Sequence, residues 1–127
     1  MKVIAHNAPA TPRPVGGYAQ ALEVRDAQRL LFISGQIPLR LDGVLPDGFA
    51  AQARQAWTHV IAQLAEAGMD ARNLVRVTIY LADRAHAAEN RLIRAEFLGT
   101  HQPALTVVIA EIFDPSWLLE IEAVAAA

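Results

Sequence analysis

Two carboxylates two residues apart, Glu120 and Glu122, have the types and spacing best suited to chemistry in this chain. They fall in the run Leu118 to Val124, which alternates like a strand. Leu119, Ile121 and Ala123 face one way; Glu120, Glu122 and Val124 face the other. A carboxylate looking into a dry cleft can take a proton from water and make it a nucleophile. On an open strand edge the same side chain is simply solvated. Residue type alone leaves both readings standing.

Other chemistries are thinly represented. There are no cysteines, which excludes disulfides, thiolate nucleophiles and zinc–thiolate sites. Lysine occurs once, at Lys2 near the terminus, a poor place for a Schiff base. His6, His59, His86 and His101 show no metal-ligand spacing, so no metal site is expected. Ser34 lacks the Gly-x-Ser-x-Gly elbow of a serine hydrolase. Gly16-Gly17 does not lead into a helix with Lys-Ser/Thr, so it is no phosphate loop. Asn90 falls mid-helix, where asparagine is a mediocre choice, and this hints at a polar task for its amide. Tyr18 and Tyr80 have the character of packing residues with a satisfied hydroxyl.

The elements that would position these residues follow from the pattern of the chain. Its 127 residues make one domain, 1–127, able to bury about two-thirds of its unfolded surface. Apolar residues make up 54% and charged residues 19%, a globular balance. No apolar run spans a membrane and the start lacks a secretory h-region, so a cytoplasmic address is the default expectation. The net charge of −2 gives no general attraction to nucleic acid or to anionic lipid.

Residues 2–5 suit a short strand, and the Pro- and Gly-rich stretch 6–17 a loop. Tyr18–Val24 and Leu30–Ser34 are strand candidates, joined across 25–29 by a polar hairpin connection. Asp47 is the expected cap of a helix over Phe49–Ala67, with Gly68 as its stop. Ala53, Ala56, Trp57, Val60, Ile61, Leu64 and Ala67 form its apolar stripe. Leu74–Leu81 reads as a half-buried strand, with Val75, Val77, Ile79 and Leu81 inward and Arg76, Thr78 and Tyr80 outward. Asp83 is placed to cap a second helix over Arg84–Leu98, ended by Gly99. Two β-branched runs around Phe113-Asp114-Pro115-Ser116 close the chain. The order β-β-β-α-β-α-β-β predicts an α+β fold with both helices on one face of a mixed sheet. The opposite face has no helix to cover it, and such a face often finds its cover in another subunit.

Gly16-Gly17-Tyr18-Ala19-Gln20-Ala21 followed by Phe32-Ile33-Ser34-Gly35-Gln36-Ile37-Pro38 resembles the RidA/YjgF family. So do Gln52-Ala53-Arg54-Gln55, Ala67-Gly68, Val75 to Leu81, Asn90, Pro103-Ala104 and Leu119-Glu120-Ile121-Glu122-Ala123. These segments follow one another over nearly the whole chain. The resemblance implies a chorismate-mutase-like fold and a homotrimer with small-molecule clefts between neighbouring subunits. It also implies hydrolysis of enamines and imines such as 2-aminoacrylate to ketoacids and ammonia, without a cofactor. Glu120 would activate water, and Tyr18, Ser34, Gly35, Asn90, Leu105 and Thr106 would line the cleft.

The chain departs from the family pattern at one place. An arginine of a Pro-Ala-Arg-Ser/Thr motif grips the substrate carboxylate in the family; here Pro103-Ala104-Leu105-Thr106 carries leucine. Arginine holds a carboxylate by a planar, bidentate pair, and leucine offers only apolar surface. Losing one partner of such a buried pair costs about 2–5 kcal/mol. Three readings follow: an enzyme on a substrate other than 2-aminoacrylate, a non-catalytic metabolite-sensing or partner-binding trimer, or an enzyme using another arginine such as Arg13. An endoribonuclease or translation-inhibitor role, attributed to some members, fits less well, because the arginines are scattered and no basic patch stands out.

Overall fold

The computed structural model describes every residue from Met1 to Ala127. Six strands and two helices follow the expected order: β1 (Lys2–His6), β2 (Ala21–Arg25), β3 (Leu30–Gln36), α1 (Phe49–Glu66), β4 (Leu74–Leu81), α2 (Ala87–Leu98), β5 (Ala104–Ile109) and β6 (Leu119–Ala126). Four strands form the main sheet in the order β3-β6-β4-β5, antiparallel except for the parallel pair β4–β5. The two runs that close the sequence, β5 and β6, are therefore separated by β4.

α1 forms because its apolar residues recur at helical spacing. Phe49, Ala53, Ala56, Trp57, Val60 and Leu64 are all buried. They pack with Ile93 and Leu98 of α2 against Leu74, Val77, Ile79 and Leu81 of β4 and Leu119, Ile121, Ala123 and Ala125 of β6. Both helices thus share one face of the sheet. Trp57 stacks on Phe97 with ring centroids 5.7 Å apart, joining the two helices. Each fully buried Leu, Ile or Val contributes roughly 2 kcal/mol of burial, so this one layer carries the fold.

The helix ends differ in part from expectation. Gly68, at φ 69°, stops α1 as predicted and donates its N–H to the Ala65 carbonyl at 2.9 Å. Asp47 is not the cap: Gly48 holds that position at φ 84°, and no side chain caps the helix. The turn needs a left-handed residue immediately before Phe49, and only glycine adopts that at no steric cost. Asp83 accepts from the Ala85 N–H at 2.8 Å, but it caps a 3₁₀ turn, Arg84–His86, and α2 itself starts at Ala87.

Two strand expectations are corrected. The residues 25–29 do not join a hairpin, because β2 pairs with β1 and β3 pairs with β6. The reason lies in the anchors. Ala19 donates to the Pro103 carbonyl at 3.0 Å and bridges Ala104 at the β5 margin, while β3 lies at the opposite margin. The chain between must cross the width of the sheet, so β1 and β2 stand apart as a two-stranded ribbon. In β4, a bulge between Leu74 and Arg76 shifts the register. Leu74 takes the core position expected for Val75, which is only half-buried.

Candidate functional site

On β6 the two-residue period holds. Leu119, Ile121 and Ala123 are buried under the helices, while Glu120, Glu122 and Val124 are half-buried on the helix-free face. The structure then gives the two carboxylates different surroundings. Glu122 accepts a 2.8 Å hydrogen bond from the Tyr80 hydroxyl. That bond, then burial, pushes the Tyr80 hydroxyl above the usual tyrosine value, because the phenol is the donor the carboxylate needs. Glu120 has neither a hydrogen-bond partner nor an ion pair. Its carboxylate lies over Gly35: a Cβ at residue 35 would sit 2.1 Å from Oε1. A side chain there would expel the carboxylate, so glycine at 35 is what lets Glu120 lie against β3.

Ser34 lies beside this pair on a shallow hollow of ≈ 290 Å³ that it shares with Phe32, Arg76, Thr78 and Glu122. The Thr78 hydroxyl is buried there without a hydrogen-bond partner. The helix-free face is apolar at its β3 margin, where Phe32 is 73% and Leu30 58% exposed.

The other expected site residues gather elsewhere. Tyr18, Asn90, Leu105 and Thr106 line a second hollow of ≈ 380 Å³ at the β5 margin, with Val15, Arg91 and Arg94. The glycine loop before Tyr18 delivers this group, pinned by the Ala19–Pro103 bond. Asn90, Arg91 and Arg94 recur at i, i+1 and i+4 on α2, so Asn90 and Arg94 stack on one helix face. Within one subunit, then, Glu120 with Gly35 and Ser34 forms one group, and Tyr18, Asn90, Leu105 and Thr106 form another. β4 stands between them. Arg13 joins neither: it lines an exposed recess of its own Pro-rich loop with Asn7, Pro12 and Pro14.

Arg91 and Arg94 are the site residues that sequence reasoning missed. Their signal was present, as an asparagine and two arginines on consecutive turns of a helix, but it is also the pattern of a solvated helix face. The histidines have structural partners: His59 bonds the Leu39 carbonyl and His101 the Leu74 carbonyl, each at 2.6 Å, and His86 stacks on Phe49. No three His, Asp or Glu side chains come together as a metal site. No helix is long and apolar enough to cross a membrane.

The sequence profile of the Endoribonuclease L-PSP family matches residues 8–127. A RutC family protein of Pyrococcus horikoshii is 34% identical over 116 residues, covering 90% of each chain. The chain belongs to the RidA/YjgF family. A 2-iminobutanoate/2-iminopropanoate deaminase of Bos taurus is 30% identical over 116 residues, 90% of this chain and 82% of the relative. Among solved structures, YyfB of the conserved Rid protein family from Yersinia pestis superposes over the full length of both chains, with a TM-score of 0.86 and 26% identity. The RidA/YjgF assignment agrees with the fold and with the order of its motifs along the chain. Within that RidA/YjgF framework, Leu105 stands on β5 at the hollow of the α2 arginines.

Proposed function

We propose that this protein hydrolyses a small enamine or imine to the carbonyl compound and ammonia, in clefts formed between the subunits of a homotrimer. The observation that carries the reading is Glu120: a half-buried carboxylate, seated on Gly35 and engaged by no other side chain. A carboxylate in that condition is free to take a proton from water. The kinship with an imine deaminase supports the choice of reaction.

In this reading water held by Glu120 attacks the carbon of the C=N bond, and the carboxylate takes its proton. That proton passes to nitrogen and gives the carbinolamine; the proton of its new hydroxyl then reaches the nitrogen as the C=O bond forms and the C–N bond breaks, so that ammonia leaves. Tyr18, Asn90 and Thr106 belong to the facing wall. One subunit does not close the site, since its two groups lie on either side of β4. A neighbour covering the helix-free face would bring its β5 margin to Glu120. The exposed Phe32 and Leu30 supply apolar area for that contact.

The test generates imines in situ from amino acids with an amino-acid oxidase and follows ketoacid formation with and without the protein. Acceleration above the spontaneous rate, lost in Glu120→Gln with the oligomer intact, supports the reading. An intact oligomer that binds ketoacid but accelerates no imine would establish a binding protein in its place.

A further inference from the structure

Arg94 is 5% exposed and pairs with no carboxylate. Its one hydrogen bond in the chain runs from Nη2 to the Gly16 carbonyl. A guanidinium has five N–H donors, so four remain to be satisfied. Arg91 lies directly beside it: a Cβ at Gly16 would be 3.0 Å from Arg94 Nη2 and 3.1 Å from Arg91 Nε. Arg91 also has no carboxylate partner. Burial, and then the like charge of Arg91, press the Arg94 pKa below the usual arginine value. Two neighbouring cations, one of them removed from water, make an uncompensated electrostatic deficit. Of the other eight arginines, Arg25, Arg40, Arg54 and Arg72 each sit on a carboxylate, and Arg13, Arg29, Arg76 and Arg84 are exposed to water, so Arg94 alone is both buried and unpaired.

The rest of the hollow repeats the theme. Asn90 is 3% exposed and its amide makes no hydrogen bond in the chain, nor does the Tyr18 hydroxyl. Val15, Leu105 and Val107 supply apolar wall beside these polar groups. Cations and free donors on one side and aliphatic surface on the other describe the complement of a short organic anion.

We propose that Arg94 and Arg91, with Asn90 and Tyr18, bind the carboxylate of a small aliphatic ligand, whose hydrocarbon portion lies on Leu105 and Val107. This deepens the reading of the cleft given above: the positive charge that position 105 lacks comes from α2. An arginine fork buried under a glycine loop engages carboxylate bidentately, and the second cation above it excludes a neutral competitor. Gly16 is the residue that allows the loop to close over both guanidiniums, since its φ of 102° and the lack of a Cβ are both needed there.

Titration calorimetry with 2-oxobutanoate, its amide 2-oxobutanamide and inorganic phosphate tests this without any turnover. The carboxylate should bind at least about tenfold tighter than the amide, and phosphate weakly. Arg91→Gln, on an exposed side chain, should weaken the carboxylate about tenfold and leave the amide unchanged; Arg94→Gln should cost about thirtyfold or more. Equal affinity for acid and amide overturns the site. So does wild-type carboxylate affinity in a folded Arg91→Gln variant, which decides the matter even if Arg94→Gln does not fold. Phosphate binding as tight as the carboxylate's would show charge attraction without the aliphatic subsite, and also overturns it. Arginine-dependent carboxylate binding in a protein that accelerates no imine would sink the hydrolase reading and leave this site standing.

Discussion

The carboxylate of Glu120 occupies the space that a side chain at Gly35 would fill, with Oε1 2.1 Å from the missing Cβ. Such a Cβ would also come within 2.7 Å of Cδ and 2.9 Å of Cγ; all three atoms belong to the Glu120 side chain, so a substitution there turns that whole side chain aside and meets no backbone among its nearest neighbours.

Gly35→Ala should therefore fold, with a melting temperature close to wild type, while Glu120 is pushed off its seat. A displacement of about 1 Å costs on the order of a hundredfold in rate when the group positions a reactant. Imine turnover should fall by that order with the oligomer unchanged. Turnover at the wild-type level would separate Glu120 from the chemistry.

The two tyrosines give a spectroscopic handle, because only Tyr80 donates to a carboxylate. The bond to Glu122, and then burial, raise its folded pKa above the usual tyrosine value, so the neutral phenol is the form the fold favours. The stability this contributes is complete below the unfolded value and is lost as the pH rises past it. An absorbance titration should show a tyrosinate ionising above the ordinary range, and Glu122→Gln should bring it down. A Tyr80 that ionises in the ordinary tyrosine range in the native protein would contradict the bond.

Light scattering on the purified protein should give three times the chain mass of 13.8 kDa. Phe32→Asp, which puts a charge on the most exposed aromatic of the helix-free face, should reduce that mass and abolish turnover together. A wild-type monomer at micromolar concentration would remove the cleft between subunits.

Leu105→Arg tests the charge account. Leucine lines the hollow that already holds Arg91 and Arg94. A third guanidinium adds desolvation and like-charge repulsion. The melting temperature should drop by about 5 °C, and carboxylate affinity should gain little. Adding Arg91→Gln should restore the melting temperature. A stable single variant with sharply tighter carboxylate binding would show that the α2 arginines do not supply the clamp.

Periodicity made half of this legible in advance. A period of two separated Glu120 and Glu122 from Leu119 and Ile121, and a period near 3.6 set Trp57 and Leu64 in the core. Both are local properties that the sheet and the helices preserve. Strand partners are not local. Nothing near residues 25–29 shows that Ala19 is fastened to Pro103 and that β3 waits for β6, so the expected hairpin did not form. The Val75 bulge likewise answers to β6, some fifty positions away. Arg94 was hidden for another reason. An arginine on a helix looks the same in sequence whether water or a folded loop covers it, and the Gly16 carbonyl that covers it lies in the N-terminal loop.

The β1–β2 ribbon sets a hierarchy of opening within the molecule. β6 has a strand on each side and a helix layer over it, whereas β1 and β2 have only each other. Two strands alone are marginal in water, so the ribbon persists through its moorings, at Ala19 on one side and at Gln28 and Arg29 on Ala127 on the other. Its amides should trade hydrogen with solvent orders of magnitude sooner than those of β4 and β6. The loop that carries Gly16 and Tyr18 to the arginine hollow hangs between this loose ribbon and the stiff sheet. One wall of the hollow thus belongs to the least stable unit of the chain, and the other to the most stable.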